Sequence, residues 1–310
     1  MTTGEELNAH IADGTINEVI RVAEAKQVKH LSRIADEITA QGRLRLVLVT
    51  GASAAGKTTT AKRICTQLLV NGCSAAMHLS TDDYFVGDAL NPRDADGNLD
   101  YEHVECVDIA RLASDVNALL RGERVPRRHF DFTKHEPCYT DEQIALPEGG
   151  MIVLEGIHAL NPRLTEGIDD AMKFRVFIEP RPDIDVFGGF VPSPASARFL
   201  RRLVRDNQFR KRNPSETVRM WPSVRAGEVK WIDPFRWNAD ATFNSYLVYE
   251  LAALKPYVGG LLERARRELG EDKLVVNMIR LIEMVDPISP EAIPGDSILR
   301  ETIGGSQLEY

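Results

Sequence analysis

Residues 51–58 read G-A-S-A-A-G-K-T, a complete G-x-x-x-x-G-K-T loop, and no other stretch restricts the fold as tightly. A mainly apolar run at 44–49 precedes it. A helical pattern follows at 58–70, with Ala61, Ile64, Cys65, Leu68 and Leu69 at core spacing and Asn71-Gly72 as its stop. Strand, glycine turn and helix in that order predict a phosphate-binding loop. Gly51, Ala52, Ser53, Ala54, Ala55 and Gly56 would wrap phosphate oxygens with backbone N–H groups, and Lys57 would reach the β- and γ-phosphates. The Thr58 hydroxyl would face Mg²⁺, with Thr59 the next nucleotide-binding position. The chain is therefore expected to bind a nucleoside triphosphate.

Composition narrows what the triphosphate is for. With 310 residues, 43% hydrophobic and 27% charged, the chain reads as an ordinary soluble globule large enough for one big α/β domain with additions. Its net charge of −8 argues against non-specific nucleic-acid binding. Cys65, Cys73, Cys106 and Cys138 show no C-x-x-C spacing, which points to reduced cytoplasmic thiols rather than a zinc or redox site. Neither a signal peptide nor a membrane span is expected. A homo-oligomer stays open.

Strands at 75–79, 151–154 and 174–178 alternate with helical patterns, including one at 107–120, so the expected fold class is α/β, a P-loop NTPase fold with a doubly wound parallel sheet. Three divisions are expected. A helical N-terminal extension covers 1–42, where 15–40 form one or two helices. A kinase-like domain covers 43–258, with an insertion at about 86–148 that binds the acceptor, turn-rich at Asn91-Pro92 and Asp96-Gly97. The C-terminal helix and tail at 259–310 pack on that domain.

Ligands bind at the carboxyl ends of strands in such sheets, which draws attention to two acidic ends. Asp82-Asp83 follows the second strand, with Tyr84 and Phe85 beside it; one Asp could cap a turn while the other takes a proton from an attacking hydroxyl. Glu155 ends the buried run at 151–154, where phosphate-loop enzymes hold Mg²⁺ or its water; His158 nearby reads as structural. Between 198 and 236 lie 11 basic and 4 acidic residues, a local +7, so the remaining chain carries −15. Arg198, Arg202 and Arg205 recur at helical spacing, and arginines closing as a lid over a triphosphate would neutralise charge that develops in transfer. Trp221, Trp231 and Trp237 are expected to pack the base of that lid.

The phosphate loop, L-S-T-D-D-Y-F at 79–85, D-Y-E-H-V-E at 100–105, F-D-F-T-K-H at 130–135, L-E-G-I-H at 154–158 and the arginine segment, in this order, resemble the uridine kinase and phosphoribulokinase family. The likeness runs from about 43 to 254. It extends to bacterial uridine kinase-like proteins that carry an extra module ahead of the kinase, through M-W-P-S-V-R at 220–225, F-N-S at 243–245 and I-L-R-E-T-I-G-G at 298–305. This chain resembles their catalytic part without the leading module. The resemblance implies an ATP- and Mg²⁺-dependent kinase for a small-molecule hydroxyl, a nucleoside like uridine or cytidine, or else a sugar phosphate. It implies Asp82 as general base, Lys57 with Arg202, Arg205 and Arg212 on the phosphates, and Thr58 and Glu155 on the metal. Glu105 stands at the family's ribose-binding acid and His135 at its base-reading His, while Phe130 replaces a Tyr and so removes one specific hydrogen bond. Tyr84, Phe85 and Arg202 complete the expected acceptor site. A nucleotide switch with little transfer is the competing class, disfavoured because no N-K-x-D or L-S-G-G-Q motif is found.

Overall fold

Residues 3–94, 97–185 and 191–309 are described by the structure, a computed structural model. Met1, Thr2, Ala95, Asp96, residues 186–190 and Tyr310 lie outside them, and with them half of the expected Asp96-Gly97 turn. Two helices, α1 (Gly4–Ala12) and α2 (Ile16–Ala40), lead into β1 (Leu46–Thr50) and α3 (Lys57–Val70), followed by β2 (Ala76–Ser80) and α4 (Ile109–Leu120). A hairpin of β3 (Arg124–Asp131) and β4 (Glu136–Ala145) comes next, then β5 (Met151–Glu155) and β6 (Lys173–Glu179). The remainder is α5 (Pro194–Phe209), α6 (Pro214–Trp231), β7 (Ala241–Asn244), α7 (Glu250–Leu269), α8 (Lys273–Glu283) and the short α9 (Arg300–Ile303).

Five strands form one parallel sheet in the order β2-β5-β1-β6-β7. Side chains alternate across β1 and β5, as the two-residue period of a strand requires. Val47, Val49 and Val153 feed the core shared with α2, α3, α5 and α7, whereas Leu46, Leu48, Ile152 and Leu154 feed the core beneath α4. That explains why the runs are continuously apolar: both faces of the sheet are covered. On α2 the buried stripe of Ile20, Leu31, Ile34 and Ile38 packs into the first of these cores, each side chain contributing roughly 1.5–3 kcal/mol.

Strand register positions the chemistry. Ser80 on β2 and Val49 on β1 both lie opposite Glu155 on β5, so the chain leaves β1 into the phosphate loop beside two polar strand ends. Gly156 follows because a Cβ there would meet the Thr81 hydroxyl at 1.8 Å.

Two elements differ from the sequence expectation. The β3–β4 hairpin lies where only an insertion was expected, and β7 is a four-residue strand whose Ala-Thr-Phe-Asn run is too short to show a period. Residue 258, the expected domain boundary, falls inside α7, with Val258 fully buried. Among the described residues no helix is long and apolar enough to cross a membrane.

Candidate active site

The phosphate loop is held from behind through its carbonyls. Arg198 Nη1 donates to the Ser53 carbonyl at 3.3 Å, Arg201 Nη1 to the Ala55 carbonyl at 3.3 Å and Ser245 Oγ to the same Ala55 oxygen at 2.7 Å. Gly56 caps α3 at φ +87°, a backbone that favours glycine, and the loop N–H groups cluster at the positive end of that helix. Lys57 Nζ folds back to 3.4 Å from the Ala52 carbonyl, and Arg202 Nη1 donates to Ser53 Oγ at 2.8 Å.

Glu155 is buried and accepts from Thr58 Oγ1 at 3.0 Å and Ser80 Oγ at 2.9 Å. Burial, and then the charge of Asp82, push its carboxyl up to about 7, against the pull of Lys57 and the Ser80 hydroxyl. His78 Nε2 lies 3.9 Å away, but burial drives that imidazole down to about 4, so the approach is not an ion pair at neutral pH. Oxygen donors with crowded negative charge suit a hard cation, so Thr58 and Glu155 fit Mg²⁺. Among the described residues no group of three or more His, Cys, Asp or Glu is placed to hold a metal ion.

The paired acids after β2 separate. Ser80, rather than either Asp, caps the turn at Thr81–Tyr84 by accepting from the Asp82 N–H at 3.2 Å. Asp83 faces His129 at 3.4 Å, and burial followed by the charge of Asp82 raises it to about 6. Asp82 lines a cavity of about 100 Å³ together with Lys57, Phe85, Phe130, His135, Arg202, Arg205 and Arg212. Phe85, Phe130 and Phe132 meet edge to face at 5.1 to 6.1 Å in its wall, and Tyr101 donates to Asp88 at 2.8 Å with His135 Nδ1 at 3.3 Å from its hydroxyl. A roomier cleft of about 510 Å³ borders α2 and is lined by residues of α2 with Asp183, Asn244, Tyr246 and Val248, none of them from the phosphate loop.

Two expected residues are placed elsewhere, and a third, Thr59, keeps its place in the first turn of α3 but is held by a carboxylate. Glu105 is turned to the surface by the short helix at Val104–Cys106 and pairs with Arg163 at 2.6 Å. Tyr84 points into the core beneath α4 and donates to Asp115 at 3.2 Å. Thr59 Oγ1 donates to Glu301 at 2.8 Å. Conversely Glu102, an acid of the 100–105 stretch but not the one the resemblance pointed to, is buried and lines the cavity with Oε2 unpartnered. Burial raises its carboxyl, while Arg202, Lys57 and Arg198 draw it down. Its side-chain stem packs so closely on α6 that a Cβ on Gly227 would collide with Glu102 Cβ and Cγ. His158 is buried, with its imidazole forced down to about 4 by burial, and does not line the cavity.

The arginines divide by partner. Arg198 pairs with Glu228 at 2.6 Å and Arg201 with Glu250 at 2.6 Å, both fully enclosed, so these two brace the loop. Arg202, Arg205, Arg210 and Arg212 converge instead on one carboxylate, Asp206, at 3.3, 3.0, 3.7 and 3.5 Å. Asp206 has no exposed surface; burial opposes its charge, yet Arg205, Arg202 and Arg210 hold the carboxyl at about 2. Four cations around one anion leave an excess of positive charge facing the cavity. Of the tryptophans, Trp221 packs under Arg198 and Trp231 against His103, whereas Trp237 is 85% exposed with the Arg236 guanidinium 5.6 Å from its ring centre.

Residues 46–252 match the phosphoribulokinase / uridine kinase family. The uridine kinase of Deinococcus deserti is 31% identical over 193 residues, which covers 62% of this chain and 83% of that protein. The uridine kinase of Lactobacillus helveticus is 27% identical over 196 residues, covering 63% and 83%. Among solved structures, a protein assigned as a fructose transport system kinase from a Silicibacter species superposes on 68% of this chain and 98% of its own. The TM-score is 0.50 at 19% identity, a likeness of fold.

Proposed function

The chain belongs to the phosphoribulokinase / uridine kinase family, and from that premise we propose that it transfers the γ-phosphoryl group of ATP to a hydroxyl of a nucleoside of the uridine or cytidine kind. The observation that carries the reading is that Asp82 lines one cavity with Lys57 and the arginines gathered on Asp206. An Asp82 carboxylate oxygen takes the acceptor hydroxyl's proton as the new bond to the γ-phosphorus forms and the bond from that phosphorus to the β,γ-bridging oxygen breaks, releasing ADP. Lys57, Arg202, Arg205 and Arg212 neutralise the oxygens of the phosphoryl group in flight. Thr58 and Glu155 would hold Mg²⁺, which supplies further neutralisation of the phosphate oxygens when bound.

On the acceptor side, Glu102 is the acid that would accept hydrogen bonds from vicinal ribose hydroxyls, in place of Glu105. Its unpartnered Oε2 is a buried acceptor that only a ligand or water can satisfy. The three phenylalanines offer apolar surface for a base, and His135 a polar edge. These same walls limit water around the transferring group.

One observation favours a second reading. Arg210 lies over Phe132 at 4.8 Å and lines the same cavity, and a cation beside that ring suits an acceptor that carries its own phosphate. Coupled ADP release with MgATP, across nucleosides in one arm and sugar phosphates in the other, separates the two. Background release in both arms sinks the kinase assignment of the acceptor site.

A further inference from the structure

The segment at 298–305, which the transfer reading leaves unused, folds onto the phosphate loop. Arg300 gathers it by donating to the Pro290, Pro294 and Gly304 carbonyls at 3.0, 3.2 and 3.2 Å. Leu299 and Ile303 bury its underside, and Ser297 Oγ is 3.3 Å from the buried Tyr249 hydroxyl. Two contacts reach the loop itself. Ile298 Cδ1 lies 2.4 Å from where a Cβ on Gly56 would stand, which closes off that glycine's open side. Glu301 Oε2 accepts from Thr59 Oγ1 at 2.8 Å and from the Thr59 N–H at 3.4 Å.

Thr59 is in the first turn of α3, where the positive end of the helix favours an anion. In a phosphate loop these donors serve the α- and β-phosphates. A carboxylate and a phosphate cannot both occupy the same N–H and hydroxyl without placing like charges in contact. We infer that Glu301 sets donor affinity as a built-in competitor: its carboxylate holds the Thr59 donors, and donor binding requires residues 298–305 to yield them. This rests on the reading that the donor binds in the loop. The consequence is an affinity for polyphosphate anions weaker than the loop alone would have, with the C-terminal segment released as the donor enters.

Glu301→Gln keeps the shape and an acceptor oxygen for Thr59 but removes the charge. By titration calorimetry the variant binds MgATP at least about fivefold tighter than the unaltered chain, and inorganic tripolyphosphate by a similar factor, because the competition is for the anion and not for the base. In the unaltered chain, amide hydrogen exchange at 298–305 accelerates on addition of MgATP. Equal or weaker binding by Glu301→Gln overturns the inference, and so does added protection of 298–305 with MgATP; either outcome would make the segment a wall of the site. If MgATP binds neither protein, the phosphate-loop reading itself fails and the inference falls with it.

Discussion

Replacing Asp206 by Asn tests whether the arginine cluster is built for a polyanion. Four guanidinium groups lie within 3.0 to 3.7 Å of this fully enclosed carboxylate. A carboxyl held at about 2 against an ordinary 3.8 is favoured in its charged form by about 2 kcal/mol. The loss on substitution is larger than that figure, because four cations are left facing each other without their shared anion; removing one partner of a buried ionic network costs about 3–5 kcal/mol. The charge of Arg205, and then burial, already pull down the proton affinity of Arg210, a sign that the cations repel. We expect Asp206→Asn to lose about 3 kcal/mol in urea unfolding, and saturating tripolyphosphate to stabilise it more than the unaltered chain, since the ligand supplies the missing negative charge. Folding depresses this carboxyl, so its contribution is complete above the unfolded value of 3.8 and is lost as pH falls through the folded value of about 2; the variant lacks that slope. An equal response of both proteins to tripolyphosphate would refute the reasoning, because the arginines would then not face the phosphates.

Asp82→Asn lowers kcat by about 10²- to 10⁴-fold while MgATP affinity stays within a few-fold; a large affinity loss would reassign Asp82 to metal binding. Glu155→Gln raises the Mg²⁺ concentration for half-maximal activity, and an unchanged metal titration removes Glu155 from the metal's surroundings. Glu102→Gln raises the acceptor KM about tenfold or more with the ATP KM held, whereas Glu105→Gln leaves both in place; the opposite pattern would restore Glu105 as the acceptor's acid. Tyr84→Phe leaves steady-state kinetics unaltered and costs about 1 kcal/mol of stability through its lost bond to Asp115, so a kinetic defect in a stably folded variant would return Tyr84 to the site.

What was legible in the chain before folding is what depends on contiguous residues. A phosphate loop is a backbone conformation flanked by a strand and a helix, so Gly51 to Thr58 and the two apolar strands beside it declare themselves locally. The parallel sheet followed from those strands, and the arginine excess from counting. The β3–β4 hairpin escaped because its burial is patchy, with the exposed and buried positions of β3 interrupted by a register shift between Pro126 and Arg128. β7 escaped because four residues show no period.

The sequence by itself determined that a triphosphate loop, an acid after each of two strands and an arginine-rich helix occur in one chain. Which acid serves was decided by tertiary structure. Glu102 and Glu105 are three residues apart, and only the short helix between them, with His103 accepting from the Glu105 N–H, sends one inward and the other to Arg163. Asp206 is one of four acidic residues within the basic stretch at 198–236, and only folding brings four arginines from α5 and the turn after it onto its carboxylate. Glu301 reaches Thr59 across 242 residues of chain. Local patterns encode backbone shape; partners for charge are chosen by burial, which removes water and leaves each ionised group the neighbours that packing brings within reach.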